Sequence, residues 1–211
     1  MDHRFGVLSG HAIEQAMADG RIQVDPFDRK YVNPASYDLT LGDEVRVYEQ
    51  SVFSSPRRSW GGAKSEDGSN FEPNHNESLD SRIANPTKSF KIGEDGWLLK
   101  PGIGYLMHTH ERVWTDSYVP VLDGKSSIGR LFITIHVTAG YGDPGFNGQY
   151  TLEVTATQPV RVYARMRFCQ VRFHTISGEP VLYQGHYTGA KAVGAIPSRS
   201  WEQFEDDQKN R

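Results

Sequence analysis

Cysteine is nearly absent from this sequence, because Cys169 is the single cysteine among 211 residues. One cysteine cannot form an intramolecular disulfide, and it cannot supply a zinc site built from several cysteines. His108 and His110 share one face of a predicted strand, but no further cluster of metal ligands is evident in the sequence. We therefore expect no zinc and no metal held by protein ligands alone.

Long apolar runs are missing as well. No stretch of about 18 apolar residues occurs, and the N-terminus lacks the charged-then-apolar pattern of a secretion signal. The formal net charge is −3, so the excess of basic residues that marks a general nucleic-acid binder is absent. These absences predict a soluble, cytoplasmic protein whose partners include neither nucleic acids nor membranes.

Patterns typical of β-strands dominate what is present. Short strands separated by glycine and proline turns predict a mainly β protein, an all-β barrel or sandwich. The predicted strands are 37–41 and 44–48 around a hairpin-like turn at Gly42 and Asp43, then 104–113, 118–122, 131–139, 150–156, 160–163 and 168–176.

One short helix is predicted near the N-terminus. Ser9 is a suitable N-cap, Ile13, Ala16 and Met17 have helical spacing, and Gly20 closes the segment. The length of the chain predicts a single domain over residues 1–211. Two parts lack periodicity: a polar insertion at about 51–96 and a C-terminal arm at about 183–211.

The segment from Gly124 to Glu153 carries the candidate chemistry. It opens with the KSSIGR turn, which we define as Lys125–Arg130 and which combines hydroxyls, backbone N–H groups and two cations. Such a turn suits an anion such as a phosphate chain. Glu153 lies in a predicted strand whose alternation puts it on the face opposite Tyr150 and Leu152. Taken alone, a strand glutamate is usually only solvated, so both interpretations stay open.

Several separate motifs resemble one family in the same order and at nearly the same spacing. They are GKSSIGR (124–130), VTAGYGDPGFNG (137–148), YTLE (150–153), PASYDLTLGD (34–43) and PSRS (197–200). Together they are similar to the dCTP deaminase branch of the dUTPase-like trimeric family. This resemblance implies a distorted, jelly-roll-like β-barrel that assembles as a homotrimer, with sites at subunit interfaces.

The resemblance also implies the catalytic groups. Glu153 is expected to be the general acid and base of a hydrolytic deamination at C4 of cytosine. Arg130 would help to orient that glutamate and the attacking water, and Ser126 would lie near both. The backbone carbonyl of Ala139 would help to hold the water.

The substrate contacts implied by the resemblance surround the same segments. Asp143 would approach the deoxyribose 3′-hydroxyl, Tyr141 would pack against the sugar, and Lys125 stands where many relatives have arginine. The full set of implied substrate-binding residues is Lys125, Ser126, Ser127, Ile128, Gly129, Arg130, Tyr141, Asp143, Thr151, Leu152, Gln170, Tyr183, His186 and Lys191.

The sequence departs from the family pattern at several points. Phe132 stands where glycine is usual, and Ala164-Arg165 replaces a usual Pro-Gly turn. In the arm, His186 replaces a common lysine, and Lys191 is a candidate for the missing phosphate ligand. These changes surround the pocket and its closing arm.

The expected function is hydrolytic deamination of dCTP, with Mg²⁺ carried by the triphosphate and no zinc. A zinc deaminase needs a His-x-Glu and a Pro-Cys-x-x-Cys motif, which one cysteine cannot supply. The pair Gly140-Tyr141 resembles bifunctional relatives that continue to dUMP and pyrophosphate. The alternatives are a dUTPase or a dCTP pyrophosphatase without deaminase activity, and a non-catalytic nucleotide-binding protein on the same barrel.

Overall fold

The computed structural model describes residues 6–49, 79–185, 187, 189, 192–202 and 206. The chain divides into two compact units. The larger is made of Met1–Arg46 and Ser89–Ile196, and the smaller of Val47–Lys88 and Pro197–Arg211. Every residue of the predicted site belongs to the ranges of the larger unit.

The fold is mainly β, as predicted, and the described residues form eleven strands with few helical segments. The helices are α1 (Gly10–Ala18), a 3-10 turn (Arg29–Tyr31) and α2 (Ser126–Gly129). The strands are β1 (Ile22–Asp25), β2 (Tyr37–Thr40), β3 (Glu44–Tyr48), β4 (Thr87–Lys91), β5 (Trp97–Leu99), β6 (Tyr105–Thr115), β7 (Tyr118–Gly124), β8 (Ile133–Thr134), β9 (Asn147–Ala156), β10 (Val160–Val162) and β11 (Arg167–Thr175).

Helix α1 forms where the sequence predicts it. The Ser9 side chain caps the helix by accepting a hydrogen bond from the N–H of Ala12. Ile13 and Ala16 are fully buried, so the helix packs its apolar stripe into the core. Gly20 follows with φ of 74°, a left-handed conformation that glycine adopts without strain.

Two sheets position the site. The larger has the order β4-β3-β6-β9-β8, with β1 also paired to β6, and the smaller has the order β2-β11-β7. All the pairs for which a register is defined are antiparallel. A separate two-stranded sheet joins β10 to β5.

Strand β9 alternates between the core and the outer face along its whole length. Tyr150, Leu152 and Val154 are buried, and Thr151 and Glu153 on the opposite face are half-buried. The predicted alternation is therefore confirmed, and it keeps the Glu153 carboxylate out of the apolar core.

A buried carboxylate joins the two sheets. Glu111 of β6 accepts hydrogen bonds from the backbone N–H of Thr40 at 2.8 Å and from its hydroxyl at 2.7 Å. Burial raises the pKa of Glu111, and the two bonds from Thr40 act in the opposite direction. Close by, the N–H of Gly42 donates to the carbonyl of His108 at 2.7 Å.

The hairpin predicted around Gly42 and Asp43 is wrong. Strand β2 pairs with β11 and strand β3 pairs with β6, so the chain passes from one sheet to the other at this point. All four residues of β2 are buried, which shows that both faces of this strand are covered.

The strand predicted at 131–139 is mostly wrong, because only Ile133–Thr134 pairs as a strand there. Sequence reasoning also missed β1, β4 and β5. Strand β4 lies within the predicted insertion and is polar and mostly exposed, so it carries no apolar alternation. Residues 51–78 of that insertion lie outside the described residues.

Two non-glycine residues of the described chain have positive φ, Phe132 at 58° and Arg165 at 67°. Both are positions at which the sequence departs from the family pattern by lacking glycine. The left-handed conformation that glycine tolerates is therefore kept here at the cost of some backbone strain.

Candidate active site

The KSSIGR turn begins where strand β7 ends at Gly124. Lys125 has an extended backbone (φ −97°, ψ 145°) and its carbonyl accepts from the N–H groups of Ile128 and Gly129. Ile128 is buried and anchors the turn, whereas Ser126 and Ser127 are exposed. The turn thus presents two hydroxyls to its surroundings from a fixed apolar base.

Side chains of the three-stranded sheet form a hydrogen bond and an ion pair with this turn. The amide of Gln170 donates to the carbonyl of Gly124 at 3.0 Å, and its oxygen accepts from the hydroxyl of Ser36 at 2.7 Å. The Lys125 ammonium donates to the buried carboxylate of Asp38 at 2.5 Å. Gln170 therefore lies beside the turn.

Sequence reasoning missed Asp38. The available signal was a carboxylate placed between apolar Tyr37 and Leu39 in a strand whose four residues are all buried. A charged side chain without solvent exposure needs a partner, which is a recognisable feature of a functional site.

Glu153 holds the segment that precedes the Gly/Pro-rich loop. Its Oε2 atom accepts a hydrogen bond from the backbone N–H of Val137 at 3.0 Å. The chain then continues through exposed Val137 and Ala139, so the carboxylate lies beside the segment that ends in Ala139. Among the described residues, Oε1 of Glu153 has no hydrogen-bond partner.

The Gly/Pro-rich loop, which we define as residues 140–145, is docked on strand β7. The carbonyl of Gly140 accepts from the N–H of Leu122 at 2.6 Å, and the N–H of Gly142 donates to the carbonyl of Pro120 at 2.8 Å. Tyr141 forms a bridge to Val121 while its side chain stays 68% exposed. The loop therefore presents an aromatic ring from a fixed backbone.

Asp143 is part of this loop, and Tyr183 of the predicted arm contacts it. Asp143 is exposed, and its charge adds to burial in raising the pKa of the Tyr150 hydroxyl, with burial the larger cause. The N–H of Tyr183 donates to the carbonyl of Pro144 at 2.7 Å, and its ring lies 6.4 Å from that of Phe146. The beginning of the predicted arm thus contacts the loop that carries Asp143.

Within one chain, no hydrogen bond or ion pair joins the described residues of the KSSIGR turn to Glu153. The carbonyl of Phe132, two residues after the turn, accepts from the N–H of Thr157. Thr157 lies four residues beyond Glu153, which corresponds to roughly 13 Å of strand. The exposed Arg130 side chain has no hydrogen bond or ion pair with any described residue.

The other predicted residues occupy mixed environments. The hydroxyl of Thr151 accepts from the N–H of Ile196 at 3.0 Å, and Leu152 is fully buried, so only its backbone can face a ligand. Gly129 is exposed in the turn. His186 and Lys191 lie outside the described residues.

The described residues contain no group of three or more His, Cys, Asp or Glu side chains that could hold a metal ion. Within the same ranges, no helix has the length and apolar character needed to cross a membrane.

The family model described as dCTP deaminase-like matches residues 7–176. Proteins named "dCTP deaminase, dUMP-forming" match over 200 residues: that of Clostridium beijerinckii at 42% identity, covering 94% of this chain and 99% of the relative, and that of Leptospira biflexa at 36%, covering 94% and 98%. This chain belongs to the dCTP deaminase-like family.

A solved structure supports the fold. The crystal structure of 2'-deoxycytidine 5'-triphosphate deaminase from Agrobacterium tumefaciens aligns with a TM-score of 0.55 at 24% identity. The alignment covers 82% of this chain and 49% of that chain, so the present protein spans about half of it.

Proposed function

We propose that this protein deaminates dCTP by hydrolysis and converts the product further to dUMP. Relatives that match nearly the full chain have names stating both the dCTP deaminase activity and dUMP formation. The observation that carries the proposal is the position of Glu153. Its carboxylate lies outside the core, with one oxygen held by Val137 and the other available.

The deamination follows from that carboxylate. Glu153 takes a proton from water as the water oxygen bonds to C4 of cytosine, and it delivers that proton to N3. Glu153 then takes the second proton of that water from the oxygen now bonded to C4 and transfers it to the amino group. The C4–N bond breaks, ammonia leaves and a C4 carbonyl forms. Because Oε2 already accepts a hydrogen bond from Val137, we assign Oε1 as the proton carrier.

The second step is assigned to the Gly/Pro-rich loop. A second water attacks the α-phosphorus of the bound dUTP, and the bond to the bridging oxygen breaks to release pyrophosphate. We assign the orientation of this water to Asp143, and its exposure on a loop that is hydrogen-bonded to β7 supports that role. Mg²⁺ arrives with the triphosphate and screens its charge.

The site is assigned to the interface between two copies of the chain, in a homotrimer. The supporting observation is that the KSSIGR turn and Glu153 are separated along strand β9 within one chain. A neighbouring copy would supply the turn, with its serines and Arg130, opposite Glu153. The exposed apolar side chains of Leu131, Phe132 and Val137 flank these elements and suit such an interface.

The rival activities are less well supported. A dUTPase or a dCTP pyrophosphatase would retain the turn and Asp143 but would not need Glu153 as a proton carrier. A non-catalytic nucleotide-binding protein would not need Glu153 or Arg130 either. Both residues are present, and the curated relatives described above are named as deaminases.

The test is an incubation of purified protein with dCTP and Mg²⁺, with separate assays of ammonia, dUTP, dUMP and pyrophosphate. Ammonia, dUMP and pyrophosphate are expected. Glu153→Gln should lower ammonia release by about 10²- to 10⁴-fold, the contribution of a positioned general acid and base. The matched control is Glu179→Gln, at an exposed glutamate, which should keep the parent rate.

The products also separate the alternatives. Pyrophosphate with dCMP and no ammonia would identify a pyrophosphatase and reject the deamination. Ammonia with dUTP alone would reject only the second step. A Glu153→Gln protein that released ammonia at the parent rate would reject the assigned role of Glu153.

A further inference from the structure

Asp38 is a buried carboxylate that the proposed chemistry does not yet use. Its side chain has no solvent exposure, and its Oδ1 atom accepts from the Asn33 amide at 2.7 Å and from the Lys125 ammonium at 2.5 Å. Within the described part of the chain, Oδ2 has no hydrogen bond. The guanidinium of Arg167 lies 3.6 Å from Oδ2 as an ion pair.

The position of Asp38 in the sheet explains these contacts. Asp38 on β2 is opposite Gln170 on β11, and Gln170 is opposite Asp123 on β7. This row crosses all three strands and ends two residues before Lys125. The Lys125 side chain extends back over the central strand to reach Asp38, with only 18% of that side chain exposed.

The burial of the Asp38 carboxylate costs free energy, so its pairing with Lys125 needs an explanation. A buried carboxylate is unfavourable unless it is paired, and removing one partner of such a pair leaves an uncompensated charge. Lys125 has a flexible four-carbon stem and would otherwise sample many rotamers. The bond to Asp38 restricts the ammonium to one place at the start of the KSSIGR turn.

We propose that Asp38 is a positioning residue that holds Lys125 for the triphosphate of dCTP. This inference rests on the proposed function, because it assigns Lys125 to the phosphate chain. Asp38 does not touch the nucleotide. It acts through Lys125, while Gln170 supports the same turn through the carbonyl of Gly124. Arg167 balances the remaining charge of the carboxylate from its other side.

The expected effect is on binding rather than on chemistry. Phosphate contacts are remote from C4 of cytosine, so they stabilise the bound substrate and the transition state alike. Asp38→Asn should raise the KM for dCTP about tenfold and leave kcat within about twofold. The control is Asp43→Asn. It removes a different aspartate–lysine ion pair, between Asp43 and Lys91 at 3.1 Å, and should keep the parent KM.

A double-mutant cycle separates positioning from a general structural effect. The dissociation constant of dCTP with Mg²⁺ is measured by calorimetry in a Glu153→Gln background, so that substrate is not consumed. Asp38→Asn should weaken binding about tenfold when Lys125 is present and by less than about twofold when Lys125→Met is present. Equal weakening in both backgrounds would show that Asp38 does not act through Lys125.

A milder variant covers the case in which Asp38→Asn fails to fold. Asn33→Ala removes the amide that orients Oδ1, together with its longer bond to the Tyr31 carbonyl at 3.4 Å, and leaves the ion pair in place. It should weaken dCTP binding about threefold with Lys125 present and leave binding unchanged in the Lys125→Met background. The same effect in both backgrounds, or none in either, would contradict the inference.

The outcomes also distinguish the inference from the function on which it rests. If the parent binds dCTP but releases no ammonia, the deaminase function fails while the binding cycle still decides the role of Asp38. If the parent deaminates dCTP and Asp38→Asn keeps the parent KM, only the role of Asp38 fails. A parent protein that does not bind dCTP would overturn both.

Discussion

The substitution Gly140→Ala tests whether the activity depends on the contact between the Gly/Pro-rich loop and strand β7. A Cβ at this position would lie 2.7 Å from Nε2 of His136 and 2.8 Å from the carbonyl oxygen of Leu122. The imidazole can rotate away. The Leu122 oxygen cannot, because it belongs to strand β7, which is paired to Val171 of β11 at that residue. The loop itself must therefore move.

The size of the effect follows from these contacts. To go from 2.8 Å to an ordinary contact near 3.4 Å, the loop must shift by about 0.6 Å, which strains the 2.6 Å bond between Leu122 and Gly140. Overpacking of this kind costs about 2 kcal/mol. For a chain of this size, Gly140→Ala should lower the melting temperature by roughly 4–8 °C.

In Gly140→Ala, the loss of activity should exceed what the lower stability explains, because the displaced loop carries Tyr141 and Asp143. A displacement approaching 1 Å of positioning residues costs up to about 100-fold in rate. The assay measures ammonia and dUMP from dCTP, with melting followed in parallel. Formation of dUMP should fall more than release of ammonia, since Asp143 is assigned to the second step.

The matched control is Gly93→Ala, because a Cβ there meets nothing within 4 Å and its φ is not positive. It should keep both the parent melting temperature and the parent product ratio. If Gly140→Ala retained the parent rates and melting temperature, the loop would not be held by its contact with β7. Equal losses in Gly93→Ala would mean that glycine replacement as such is harmful.

Two further predictions concern stability. Arg165→Gly should stabilise the fold by about 0.5–1 kcal/mol in thermal unfolding, because it relieves a φ of 67° and keeps the bond from its N–H to Leu41; Arg161→Gly, in strand β10, should destabilise it. Burial lowers the pKa of His108 below its usual 6.5. The stability that the neutral His108 side chain contributes is therefore fully present above about pH 6.5. As the pH falls through that value, the unfolded chain binds a proton first and stability is lost; urea unfolding at about pH 7.5 and about pH 5.5 should show a smaller difference for His108→Gln than for the parent.

The parts of the fold that the sequence predicted are those where local pattern and packing agree. Helix α1 has its cap and its apolar stripe within ten residues, and β9 alternates from end to end. Strand partners were harder to predict. Residues 37–41 and 44–48 alternate like a hairpin, but nothing local shows that β2 is covered on both faces and pairs with β11.

The stretch 131–139 shows how tertiary contacts override strand propensity. Its residues are apolar and β-branched, yet only Ile133 and Thr134 pair with β9. Three residues later, the N–H of Val137 finds its acceptor in the side chain of Glu153 instead of a backbone carbonyl. A side chain has taken the place of a strand partner, which no pattern of residue types predicts.

In the candidate site, too, the sequence predicted the chemistry of the residues but not all of their contacts. The residue types in the KSSIGR turn predicted an anion site, and the family resemblance added roles for Glu153 and Arg130. Neither predicted Asp38, because its partner Lys125 is 87 residues away in the chain. Contacts of that kind depend on the strand order β2-β11-β7, which the sequence did not reveal.

The separation between the turn and Glu153 has a consequence for how the site is assembled. Phe132, two residues after Arg130, is level with Thr157, which follows the last residue of β9. A long side chain cannot easily close roughly 13 Å of strand and still position a water. If Arg130 and Glu153 act on one substrate, this separation supports the proposal that they come from different copies. Under that proposal, association would create the site rather than only stabilise the fold, because each copy would contribute half of two different sites.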